Sequence, residues 1–194
     1  MSCANHNECT DDRCRGSTLS IRAKHGHNLA VTDISFARDL KTLLRGAKRV
    51  TVVGAKRNFS AKKFPKLLGK RNDDLIKELA KGCPPGAMGS SDSTLTGRDP
   101  RTLAVGVLPD KVSRHNSPSR AESVRRVVAS LSGGRGKTAI ILMLDDAAHA
   151  LAVVNAVGRA YPEYTAKTGR GSSERVQIVA VDTAGPVQRR VGVH

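Results

Sequence analysis

A chain of 194 residues is long enough for one domain with a real core and too short for two large ones. With no Trp, three Phe and two Tyr, the core must be built from Val, Leu, Ile and Ala, and aromatics are too few for a base-stacking platform. The formal net charge of +16, from 33 Lys and Arg against 17 Asp and Glu, attracts polyanions or an acidic partner domain, or simply keeps a basic surface solvated.

Residues 1–16 are polar and aperiodic and read as a flexible tail, with no apolar stretch that would make a secretory signal. The four cysteines, at 3, 9, 14 and 83, show no C-x-x-C spacing, as expected of reduced cytoplasmic thiols. Cys3, His6, Cys9 and Cys14 have irregular gaps, unlike the short paired spacing of structural zinc. Thr18 to Lys24 alternates apolar and polar residues and suggests a strand. Asp33 is placed to cap a helix with Phe36, Leu40 and Leu43 on one face, ended by Gly46. Val50 to Val53 reads as a strand closed by Gly54.

Lys56 to Arg71 is strongly basic and reads as a loop. Its Lys56, Arg57, Lys62, Lys63, Lys66, Lys70 and Arg71 form a candidate polyanion patch, suited to weak, non-specific nucleic-acid contact. Asn72 then caps a helix with Leu75, Ile76 and Leu79 on one stripe, stopped by Gly82 and Pro84-Pro85. Gly86 to Pro100 is rich in Gly, Ser and Thr and reads as an exposed loop.

Thr102 to Leu108 is a buried-type strand. Ser119 and Glu122 suggest a capping box before a helix with Val124, Val127, Val128 and Leu131 on one face. Gly136-Lys137-Thr138 has the letters that end a phosphate loop, but it follows a helix and opens a strand, the reverse of the order that aims helix N–H groups at phosphate. Thr138 to Leu144 is the longest apolar run, far short of the ~20 residues that span a bilayer, so no membrane association is expected. Asp145 is read as the cap of the next helix, carrying Ala148, Leu151, Ala152 and Val154 and ended by Pro162. Asp145, Asp146 and His149 also resemble a metal cluster on one turn, although capping explains both acids. Arg175 to Val181 is the last strand. Alternating strands and helices predict an α/β fold in three layers, a mostly parallel sheet flanked by helices, with 138–144 central.

The connection from Val107 to Ser119 is the most distinctive stretch. Arg114, His115 and Asn116 stand beyond a strand's carboxyl end, where α/β folds often bind ligands, or they brace the loop through backbone bonds. Leu108-Pro109, the run Val112-Ser113-Arg114-His115-Asn116-Ser117-Pro118, the helix to Leu131, the strand Ile140 to Leu144 and the ending Arg159-Ala160-Tyr161-Pro162 together carry a family resemblance. Lys66-Leu67-Leu68-Gly69 through Leu79 fits more loosely. Over about 48 to 185 the chain resembles the N-terminal domain of leucyl (cytosol) aminopeptidases, in the branch of probable aminopeptidase-like proteins.

The resemblance implies a small macro-like α/β domain, residues 17–185, that precedes a larger catalytic domain, with 186–194 as a truncated linker. It implies that the catalytic domain holds two divalent metals, zinc or manganese, on carboxylates and a Lys. Such a pair polarises the carbonyl and supplies hydroxide near neutral pH. It further implies a hexamer, assembly rather than chemistry for this domain, and a cytoplasmic setting. The family's Asn-Thr-Asp-Ala-Glu-Gly-Arg-Leu motif is not in this sequence, and after Asp146 the acids are Glu163, Glu174 and Asp182. No catalytic residue, metal ligand or cofactor contact is therefore assigned to this chain.

Overall fold

Three apolar runs, Arg49–Ala55 (β2), Thr102–Leu108 (β4) and Gly136–Met143 (β5), form adjacent strands in the computed structural model, with β2 pairing in parallel to both neighbours. The structure describes residues 32–60, 64–112, 117–133, 136–161, 174–182 and 185–187. Among these, Asp33–Phe36 (β1), Ser90–Leu95 (β3), Glu174–Asp182 (β6) and Gly185–Pro186 (β7) complete one sheet of order β1-β6-β5-β2-β4-β3, with β7 on β6. All pairings are parallel except β3 on β4 and β7 on β6. The strand at 138–144 is interior, as its uninterrupted apolar sequence predicts.

Alternate residues of each strand enter opposite cores, as the two-residue period requires. Val50, Val52, Leu103, Val105, Ala139 and Ile141 pack with Leu40–Leu44 (α1) and Lys70–Gly82 (α2) on one face. Val53, Ile140, Leu142, Val176 and Ile178 pack with Ala121–Leu131 (α3) and Ala150–Ala160 (α4) on the other. The predicted three-layer α/β architecture is what forms. In α3 the stripe Val124, Val127 and Val128 is buried, each side chain contributing on the order of 1.5–3 kcal/mol by leaving water.

Several element readings change. Residues 33–36 form an edge strand rather than a helix start; Asp39 caps α1 instead, its carboxylate accepting from Thr42 N at 2.7 Å. Lys70 and Arg71, read as loop, already lie in α2. That helix has no side-chain cap. Its buried Asp73 turns back to accept from Leu67 N at 3.3 Å and Leu68 N at 2.9 Å, tying the preceding loop to the helix. Burial pushes the Asp73 carboxyl above its ordinary value against these two bonds. The segment read as an exposed loop contains β3, whose polar residues suit an edge strand. Ser119 and Glu122 form no capping box: the residue before α3 is Arg120, in the left-handed conformation at φ 51°, and Glu122 pairs with Arg125 at 2.6 Å. Helix α4 begins later than expected, so Val153, Ala156, Val157 and Ala160 are buried and Leu151 is 73% exposed. Val187 is buried in the α3–α4 core. The strand expected at 18–24 and the tail at 1–16 lie outside the described residues.

Candidate functional site at the carboxyl ends of the central strands

From β2 the chain passes through α2 and β3 to β4 on one side, then through α3 to β5 on the other. With α2 and α3 on opposite faces, the carboxyl ends of β4, β2 and β5 diverge into a crevice, the usual ligand position of an open α/β sheet. Three segments feed it: 56–59 after β2, 109–112 and 117–120 after β4, and 144–149 after β5.

The crevice is filled by the chain itself. Arg120, only 6% exposed, spreads its guanidinium across it. Nε donates to Pro109 O at 2.6 Å, Nη2 to Asp110 O at 3.0 Å, and Nη1 to Pro118 O at 3.2 Å and to Asp145 Oδ2 at 2.7 Å. Arg57 Nη2 reaches the same Oδ2 at 2.8 Å, and Asn58 Nδ2 donates to Asp145 Oδ1 at 3.0 Å. Arg57 N donates to Asp110 Oδ1 at 3.0 Å, joining the β2 and β4 turns. Burial acts to raise the Asp145 carboxyl, but the Asn58 hydrogen bond and the charges of Arg57 and Arg120 outweigh it and hold it below the ordinary carboxylate range. The remaining cavity, about 20 Å³, lies among Ala55, Leu108, Ser119, Arg120, Asp145 and His149. That is room for one water, whereas a metabolite site needs on the order of 300 Å³ or more.

Arg114, His115 and Asn116 lie outside the described residues, but Arg120 grips the chain on both sides of them, at Pro109 and Asp110 and at Pro118. Of the basic patch, Lys56 closes the carboxyl end of α2, donating to Ala80 O and, at 3.2 Å, to Lys81 O and Cys83 O. Arg57 is held by Asp145; Lys66, Lys70 and Arg71 are exposed; Lys62 and Lys63 lie outside the described residues. The structure therefore draws Lys56 and Arg57 toward separate internal partners rather than into one surface cluster. Lys137 opens β5 and closes α1, its Nζ donating to Thr42 O at 3.0 Å and Arg45 O at 2.7 Å; burial, then Arg175 and Arg45, push its ammonium down.

Asp145 does not cap α4, which has no side-chain cap; Asp146 caps the 3-10 turn Ala147–His149 before it, accepting from Ala148 N at 2.9 Å. The residues missed in the sequence are Arg120 and the pairing of Arg57 and Asn58 with Asp145. One signal was available: an acid directly beyond a continuous apolar strand needs a cationic partner. Among the described residues no three His, Cys, Asp or Glu gather as a metal-holding group. Cys3, His6, Cys9 and Cys14 lie outside them.

Comparison with known proteins places this geometry. Residues 48–170 match the family model for the M17 aminopeptidase N-terminal domain 2. A mouse protein described as probable aminopeptidase NPEPL1 is 35% identical over 78 residues, 40% of this chain and 15% of that protein. The leucyl aminopeptidase of Leishmania major, solved with actinonin, superposes with a TM-score of 0.59 at 26% identity, over 76% of this chain and 29% of that one. The fold also matches a leucine aminopeptidase of Caenorhabditis elegans, TM-score 0.53 at 17% identity, over 71% of this chain and 28% of that one. The chain thus spans between 15% and 29% of the length of these three relatives. The family model covers more than half of the sequence, through the central strands and their crevice: the chain belongs to the M17 aminopeptidase family, as its N-terminal domain.

Proposed function

We propose that this chain is the non-catalytic domain that organises assembly and access in a leucyl-type aminopeptidase, which releases N-terminal amino acids from peptides only together with its catalytic domain. The observation that carries this reading is the crevice: where a ligand would sit, Arg120, Arg57 and Asn58 converge on Asp145 and tie three connecting segments into one rigid surface. A cross-braced end of this kind suits a scaffold that holds its shape against another domain. The match to an N-terminal family domain supports the same role.

The two divalent metals, zinc or manganese, belong in this reading to the catalytic domain. No three His, Cys, Asp or Glu of the described residues gather to hold them, and three of the acids are already engaged: Asp145 with two arginines, Asp73 with two backbone N–H groups and Glu174 with Thr138 Oγ1 at 2.7 Å. When bound, such a pair supplies hydroxide and carbonyl polarisation; this chain's part is to position the domain that holds it. The proposed assembly is a cytoplasmic hexamer. No helix among the described residues is long and apolar enough to cross a membrane.

Sedimentation velocity of the purified chain mixed with an M17 catalytic domain lacking its own N-terminal domain tests the reading. A faster-sedimenting complex containing both is expected. Two species that sediment independently at all mixing ratios would count against it.

A further inference from the structure

The convergence on Asp145 has the form of a ligand site with its ligand built in. Three donors from two separate segments point at the two oxygens of one carboxylate: Arg57 Nη2 at 2.8 Å, Arg120 Nη1 at 2.7 Å and Asn58 Nδ2 at 3.0 Å. Arg120 does not depend on that carboxylate for its position, because three backbone carbonyls, of Pro109, Asp110 and Pro118, already orient its guanidinium. The principal donor, Arg120, is therefore preorganised, which is what distinguishes a binding site from a surface ion pair. The place is also the one where this sheet topology exposes ligand crevices.

We propose that the crevice beyond β2, β4 and β5 is an oxyanion-binding site that the chain keeps filled with its own Asp145 carboxylate. The ligand class is a single carboxylate or phosphate group. The donors match two or three oxygens, and the apolar walls of Val53, Leu142 and Val153 leave little further space. In the native chain the tethered carboxylate competes at the high effective concentration of an intramolecular group, so free anions at millimolar levels are excluded. Removing the Asp145 carboxylate leaves the buried Arg120 cation without its counter-charge and widens the cavity beside it, which is the condition for capturing an external oxyanion.

Chemical rescue of Asp145→Ala tests this. Unfolding of the wild type, Asp145→Ala and the double variant Asp145→Ala with Arg120→Met is followed in sodium phosphate, sodium acetate and sodium chloride at equal ionic strength. At ten times its dissociation constant a bound anion lowers the unfolding constant about tenfold. The expected result is that phosphate or acetate does so for Asp145→Ala beyond its effect on the wild type, and that Arg120→Met abolishes the gain. Response to acetate alone assigns a carboxylate slot, and response to phosphate alone a phosphate slot. Equal responses in all three proteins would reduce the effect to general anion binding by a surface of net charge +16 and overturn the proposal. If Asp145→Ala is unfolded in chloride, refolding yield becomes the readout: recovery in either oxyanion supports the site, and failure in both overturns it.

Discussion

Arg120→Ala is expected to lower the unfolding free energy by about 2–4 kcal/mol, because it strips the partner from a partly buried carboxylate and from three backbone carbonyls at once. Arg120→Lys keeps the charge but not the fork that reaches those carbonyls, so its loss should be intermediate. The pH dependence follows from Asp145. Its folded-state carboxyl is held below the ordinary range, so its contribution is fully present above the unfolded value and fades as pH falls through the lower folded one. Arg120 is among the groups that hold it there. The gap between wild type and Arg120→Ala should therefore be widest near neutral pH and narrow as the pH drops below about 4. Asp73 has the opposite sign, since its raised carboxyl contributes stability that is lost as pH rises, but it is common to both proteins and cancels in the difference. Urea unfolding at several pH values measures this; a gap that stays constant on acidification would exclude Asp145 as the source.

The second large effect is expected at Gly106. This residue lies on the β4 face that receives α3, and a Cβ there would stand 2.3 Å from Val127 Cγ1 and 3.1 Å from Val53 Cγ2. Either α3 moves off the sheet or Val127 leaves its rotamer. Gly106→Ala should cost about 2–3 kcal/mol by overpacking. Since the obstruction is the Val127 side chain, Val127→Ala should lower that cost: the double variant should be more stable than the sum of the two single losses by about 1 kcal/mol or more. Denaturant midpoints of the four proteins give the coupling, and strict additivity would mean that α3 does not pack where the structure puts it.

The central strands were legible in the sequence because burial on both faces leaves them few polar positions. Thr102–Leu108 and Gly136–Met143 read as strands within two residues of their ends. The edges were not legible for the complementary reason. Ser90–Leu95 holds one large apolar residue, and that residue, Leu95, is 70% exposed; only the ladder to β4 makes it a strand. Asp33–Phe36 likewise owes its conformation to β6 rather than to its own pattern. The face of α4 was misread because Asp145 was placed as its cap. Asp146 instead caps a short 3-10 turn at Ala147–His149, the helix starts after it, and the buried stripe moves from Leu151 to Val153, Ala156, Val157 and Ala160. At the site, the residues that brace the described ends of the 107–118 connection were hidden in the sequence. Arg120 meets Asp145 across 25 residues of sequence, and Arg57 meets it from the turn after β2; neither spacing has a local signature.

The most direct test of a non-catalytic role is peptidase activity of the purified chain itself. Release of p-nitroaniline from leucine-p-nitroanilide is followed with zinc or manganese added. A chain whose described residues bring no three His, Cys, Asp or Glu together should give no turnover above a boiled control. Metal-dependent, saturable turnover that follows the chain through repurification would contradict the assignment and place a complete active site within these 194 residues.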